Sequence, residues 1–195
     1  MPTHVQKHWN CPLADERYVS ERAWEDANLD ACPFHPSGGC GVERLGSYRR
    51  VSPPGARVPR WWCPKARASI SLLPSFLAAR LSCTLAAVER VVAAVEVAGS
   101  VGAAVDVVHA PDAAGVVLGF AGAVRSIRRR VAAVRAALVA IATLLPERFV
   151  GVGPTLSQFR ATLGVTEVLV VLRKVAERHL GSLPTPLGFR TWGSG

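Results

Sequence analysis

Four potential soft or borderline metal ligands, Cys32, His35, Cys40 and Cys63, fall in one stretch of the chain, and they constrain its fold more than any other feature. An ion bound by all four would force loops far apart in sequence onto a single point. Cys32-Pro33-Phe34-His35 has the two-residue spacing that lets one tight turn aim both side chains at one ion. Cys63 follows Trp61-Trp62 and precedes Pro64, which reads as the end of a strand entering a second turn. A second knuckle would put its partner three residues after Cys63, where Ala66 stands instead. Cys40, after Ser37-Gly38-Gly39, is then the residue that completes a tetrahedral set within the segment, and Zn2+ is the expected ion.

At 195 residues, half of them hydrophobic, the chain suffices for one medium domain or two small ones with a packed core. Its formal charge is +9 and its pI about 10.2, carried mostly by arginine and unevenly placed. Residues 1–30 hold six acids, Asp15, Glu16, Glu21, Glu25, Asp26 and Asp30, against Lys7, Arg17 and Arg22. From Glu43 to Arg80 the balance reverses: Arg44, Arg49, Arg50, Arg57, Arg60, Lys65, Arg67 and Arg80 face one acid. Clustered guanidinium groups gain from phosphate contacts and counterion release, so the asymmetry points to a polyanionic partner. A GC-rich coding bias that favours Arg, Ala, Gly and Val is the plainer alternative.

The start, Met1 to Asn10, is polar and carries His4, Lys7 and His8, without the apolar run of an export signal. The most apolar stretch, Val131 to Leu145, is short for a membrane crossing and contains Arg135, so it reads as a core helix. Five cysteines in a chain of this kind argue for thiols or metal ligands over a disulfide framework. A cytoplasmic protein with no membrane partner and no small-molecule substrate is expected. Cys11 has no evident partner, and Cys83 reads as a small buried residue at a helix start.

Residues 1–30 read as an acidic lead-in, partly helical or loosely ordered, with Tyr18 and Trp24 free for docking. Residues 31–75 read as the zinc-ribbon-like module, broken into short pieces by Gly38-Gly39, Gly41, Gly46, Pro53-Pro54-Gly55 and Pro59. Gly46 to Val51 and Arg57 to Trp62 alternate well enough for two strands joined across the Pro53-Pro54-Gly55 turn. Such a ribbon is marginal alone, and a bound metal would supply what it lacks.

Residues 76–182 read as a helical domain. Leu81, Leu85, Val88, Val91, Val92 and Val95 recur at helical steps, predicting a helix from about residue 76 or 82 to 98. Ala98-Gly99-Ser100 breaks it, and Ser100 caps a second short helix through Val108, the layout of a helix-turn-helix. Pro111-Asp112 supplies the next start, with Asp112 as cap. Val124, Ile127, Val131, Val134, Leu138, Ile141 and Leu145 then form an apolar heptad seam. The same helix puts Arg125, Arg128, Arg129 and Arg135 on the opposite face, with Arg130 at its flank, and should stop near Pro146. Thr155-Leu156-Ser157-Gln158 is a capping box for a short helix ending at Gly164, and Val165 to Leu180 forms the last helix, closed by Gly181. Residues 183–195 read as a loose tail.

Arg125-Ser126-Ile127-Arg128-Arg129-Arg130 is the expected contact to double-stranded DNA, with Arg49, Arg50, Arg57 and Arg60 in support. The plain alternative is a solvated helix face. Trp61 and Trp62 beside Arg60, and Tyr48 beside Arg49, have the makings of base-stacking platforms, but one tryptophan is expected to cover the metal site or the following helix. His4, His8, His109 and His179 show neither metal spacing nor a nucleophile partner. The long-spaced carboxylates Asp106, Asp112 and Glu147 each have a structural explanation, and no nucleophile elbow or phosphate loop is present, so no enzyme is expected.

Taken together, Cys32-Pro33-Phe34-His35-Pro36, Gly46-Ser47-Tyr48-Arg49-Arg50, Arg60-Trp61-Trp62-Cys63-Pro64 and Ser69-Ile70-Ser71-Leu72-Leu73-Pro74 resemble the N-terminal zinc ribbon of bacterial insertion-sequence transposases and their shortened relatives. The resemblance covers about residues 30–135. It implies that Cys32, His35, Cys40 and Cys63 hold zinc, that a helix-turn-helix follows, and that Arg125 to Arg130 match a basic segment on its last helix. Ala66 and Ile127 depart from that pattern, and the C-terminal part shows no nuclease domain. The expected fold is mainly α: a small N-terminal zinc-ribbon-like β module followed by a helix-turn-helix-containing helical bundle. The expected function is DNA binding by a transposase-derived protein. The rivals are an interaction module dimerising through the Val124 to Leu145 seam and a degenerate mobile-element remnant.

Overall fold

The computed structural model describes residues 3–13, 15–108 and 120–189. Among them, strand β1 (Thr3–Trp9) is followed by helix α1 (Asp15–Ser20) and then by strands β2 (Glu43–Arg49), β3 (Arg57–Cys63) and β4 (Ala68–Pro74). Helices α2 (Leu85–Ala98), α3 (Val101–Val108), α4 (Phe120–Leu144), α5 (Pro146–Phe149), α6 (Leu156–Leu163) and α7 (Val168–Val175) complete the chain, with a 3-10 turn at Glu177–His179. The strands form one mixed sheet in the order β1-β4-β3-β2. The mainly α expectation is therefore corrected: of the described residues 42% are helical and 18% extended, and the sheet is a layer on which the helices pack.

The β2-β3 hairpin is where the alternation predicts it, antiparallel, with Tyr48 opposite Val58 and a bulge between Arg44 and Gly46. The structure adds two strands. β4 lies centrally, antiparallel to β3 with Ile70 opposite Trp61, and parallel to β1 with Val5 opposite Ile70. A central strand is covered on both faces, and β4 serves both. Ile70 and Leu72, two apart, join Val5, Trp61, Cys63, Cys32 and Cys40 in a small core on one side. Leu73 and Val58 join the larger core built with Tyr18, Trp24, Phe76 and helices α2, α4, α6 and α7.

The start of the chain is thus neither loose nor free for docking. Tyr18 is fully buried, donates its hydroxyl to the Arg57 carbonyl at 2.6 Å, and packs against Trp9, Trp24 and Phe76. The part of the expected tail that is described is also docked: Leu183, Leu187 and Phe189 are buried, and Ala79 N–H donates to the Pro186 carbonyl at 2.9 Å. A side chain on Gly188 would meet the Leu183 carbonyl oxygen at 1.9 Å, so only glycine fits there. Residues 190–195 lie outside the described residues, as do Pro111, Asp112 and His109.

Helix boundaries follow local chemistry. Thr84 caps α2, its hydroxyl accepting from Ala87 N–H at 3.1 Å, and Gly99 closes it in the left-handed conformation. Ser100 accepts from Ala103 N–H at the start of α3. Thr155 caps α6 and Gly164 ends it. The last helix is shorter than periodicity suggests, α7 giving way to the 3-10 turn. Val91, Val95, Ala104, Val105 and Ile127 meet where α2, α3 and α4 converge. Farther along, Val134, Leu138, Ile141 and Leu145 are buried in the larger core. Most of the α4 seam is thus buried within the chain, with Val124 and Val131 half-buried.

Candidate metal centre

Cys32, His35, Cys40 and Cys63 converge, their ligand atoms all within 4.8 Å of one another. The Cys32 sulfur lies 3.8 Å from His35 Nδ1, and the Cys63 sulfur 3.4 Å from it. Donors bound tetrahedrally at zinc-like lengths stand about 3.6–3.8 Å apart, so these spacings are close to the edges of such a tetrahedron. The three cysteines are buried and His35 is half-buried, so the set is closed to solvent on most sides. It can hold a metal ion.

Each ligand is aimed by the chain around it. Cys32 and His35 pair across an isolated antiparallel bridge, and His35 N–H donates to the Cys32 carbonyl at 3.1 Å, closing the first turn. Cys40 is carried back by Gly39 and Gly41, with φ of +73° and +64°, conformations that a residue with a Cβ rarely takes. Cys63 ends β3, and the following turn runs through Arg67, itself at φ +48°, into β4. The position that lacks a cysteine, Ala66, still contributes: its backbone N–H donates to the Cys63 sulfur at 3.4 Å. Such N–H donation orients a ligating sulfur from outside the ligand set.

The thiols are also electrostatically uneven. Burial pushes the Cys32 thiol up, against the backbone N–H groups of Phe34 and His35. Burial acts the same way on Cys40, but hydrogen bonding from Cys32, the Val42 backbone and Cys63 outweighs it and holds Cys40 below the usual thiol range. Trp61 belongs to the same small core as the three cysteines, with the Arg44 guanidinium 5.4 Å above its ring.

The arginines proposed for DNA divide. Arg125, Arg128, Arg129 and Arg135 are exposed on α4, and Arg130 is half-buried at its flank. Of the four from the sheet, Arg49 is exposed. Arg50 donates to the Ala78 and Leu81 carbonyls, Arg57 donates to Ser47 Oγ at 2.7 Å and to its carbonyl at 3.0 Å, and Arg60 lies over the Tyr48 ring. Of the expected stacking platforms, Trp61 is buried and Tyr48 lies under the Arg60 guanidinium, while Trp62 is half-buried. Glu147 is exposed beyond the end of α4, and Asp106 lies on α3.

His8 meets a serine hydroxyl, Ser75, and a carboxylate, Glu177, brought to it from distant segments, and His4 meets Ser69 Oγ at 2.9 Å. No sequence spacing marks them, because β1 meets β4 only through parallel pairing.

Comparison with protein-family models, curated proteins and solved structures yields no match to this chain.

Proposed function

We propose that the chain is a zinc-stabilised protein that binds double-stranded DNA through the cationic face of α4. Zinc is the ion that suits the donor set. Three cysteines and one histidine gathered at one point would suit a structural zinc site as thiolates and imidazole, whereas hard cations prefer oxygen ligands. Holding it would tie the loop after α1 to the end of β3 and stiffen the sheet.

The single observation that carries the DNA reading is the charge of α4. Its twenty-five residues include five arginines and no acid, while its apolar stripe is turned into the protein. Arg125, Arg128, Arg129 and Arg135 are left facing solvent on one rod, with no carboxylate on that helix to neutralise them. Guanidinium forks spaced along a helix suit phosphate oxygens. Duplex nucleic acid is the chosen partner because guanidinium groups spaced along one helix face can follow its phosphates. A transposase-derived origin without a nuclease domain belongs to the same proposal.

Double substitution of Arg128 and Arg129 by alanine is the test. Binding to a duplex, followed by fluorescence anisotropy across a salt series, should weaken, and the slope of log affinity against log salt should fall by about 2. An unchanged slope rejects α4 as the DNA contact.

A further inference from the structure

At the end of β1, His8 stands between two side chains from distant parts of the chain. Its Nδ1 is 2.9 Å from Glu177 Oε1, and its Nε2 is 3.1 Å from Ser75 Oγ. The three residues are borne by β1, by the turn that follows β4, and by the 3-10 turn after α7. Both distances lie within the reach of about 2.6–3.2 Å over which a base takes a proton from a nucleophile and is itself oriented by a third group. Such constellations are recognised by geometry and roles, not by sequence order. We infer that Ser75, His8 and Glu177 form a nucleophile, base and acid relay able to cleave carboxylic esters of small acyl groups.

The surroundings support those roles. The His8 side chain is almost wholly covered, at 6% exposure, while that of Glu177 is 60% exposed. Burial is the largest influence on the His8 pKa and, with the buried Arg173, lowers it against the pull of Glu177, so the neutral imidazole is favoured. With its proton on Nδ1 facing Glu177, Nε2 is left to accept from Ser75. Ser75 Oγ also lies 3.1 Å from the Trp9 carbonyl and 3.5 Å from Asn10 Oδ1, alternative acceptors that the hydroxyl must leave to engage His8. The Ser75 carbonyl is held by Arg173 at 2.9 Å, which fixes the turn that carries the hydroxyl. Ser75 is half-buried, so a short acyl group reaches it more readily than a long one.

The chemistry balances without further reagents. Ser75 Oγ bonds to the ester carbonyl carbon as its proton passes to His8 Nε2. The bond to the alcohol oxygen then breaks, and the alcohol leaves with that proton. Water attacks the Ser75 ester, gives a proton to His8, and releases the carboxylic acid as the proton returns to Ser75 Oγ.

A fluorophosphonate reagent and p-nitrophenyl acetate test this on the full chain. The relay predicts one phosphonyl adduct, mapped to Ser75 by mass spectrometry and absent from Ser75→Ala. Release of p-nitrophenol should fall at least about tenfold in His8→Gln and Glu177→Gln. Glu177 is exposed, so its variant keeps the fold if removal of His8 does not. Because Glu177 raises the His8 pKa, Glu177→Gln should also move the acid limb of the pH–rate profile to lower pH. No adduct on Ser75 in the folded wild type, or equal rates in wild type and Glu177→Gln, overturns the inference.

Discussion

Arg173 is the largest fully buried side chain of the described residues. Its guanidinium donates to the carbonyls of Leu187 at 3.2 Å, Ser75 at 2.9 Å, Leu77 and Pro186, joining the end of β4, the turn after it and the C-terminal segment. The cation is stabilised by peptide dipoles in place of a carboxylate, and burial, with Arg50 nearby, pushes its pKa down to about 9. Arg44 does the same for the Trp24, Glu25 and Ala27 carbonyls, and Arg50 for Ala78 and Leu81. Part of the charge excess between residues 43 and 80 therefore engages the chain's own carbonyls, while Arg44, Arg49, Lys65, Arg67 and Arg80 are exposed residues. Arg173→Met leaves buried carbonyls without a donor, at about 1–3 kcal/mol for each that water cannot reach. Thermal unfolding should drop by about 10 °C or more, and a shift under about 2 °C would show that the clamp contributes little.

Among the elements, α2 does more than bury a stripe. Glu89 is buried, accepts from the Val168 and Leu169 N–H groups at 3.1 and 3.0 Å, and pairs with Arg160 at 2.9 Å. Two turns on, Glu96 accepts from the Leu156 and Ser157 N–H groups at 2.7 and 3.0 Å. One helix thus caps the N-termini of α7 and α6, where free N–H groups and the helix dipole favour a carboxylate. Glu89→Gln should cost about 1–3 kcal/mol and speed amide hydrogen exchange at the start of α7 while α3 is unaffected; equal exchange in both helices would contradict the capping role. Several helix ends were legible because their signals are local: Ser100, Thr155, Gly99 and Gly164 mark the ends they punctuate, whereas the start of α2 at Thr84 was placed too early. The sheet was half legible. The β2-β3 hairpin shows its turn and alternation, but β4 is buried on both faces, which erases the period-two pattern, and β1 pairs with it in parallel across more than sixty intervening residues. Nothing in Thr3–Trp9 alone announces that partner.

For the molecule as a whole, the four-ligand set was legible because spacing constrains ligands directly, while the docking of both chain ends was not, since it depends on contacts formed only after collapse. The Cys32 to Cys40 loops have little regular structure, and their core is small, built on Val5, Ile70, Leu72 and Trp61 beside the cysteines themselves. A metal ion that bridges those loops to β3 adds the cross-link such a region lacks. No described helix is long and apolar enough to cross a membrane. The most direct measurement is metal analysis of the purified chain, repeated on Cys40→Ser and on Cys11→Ser, the latter a buried thiol in the other core. The account predicts one equivalent of zinc in the wild type and in Cys11→Ser, and its loss from Cys40→Ser together with a lowered unfolding temperature. A folded wild type free of zinc, or a Cys40→Ser protein that keeps its full equivalent, would contradict it.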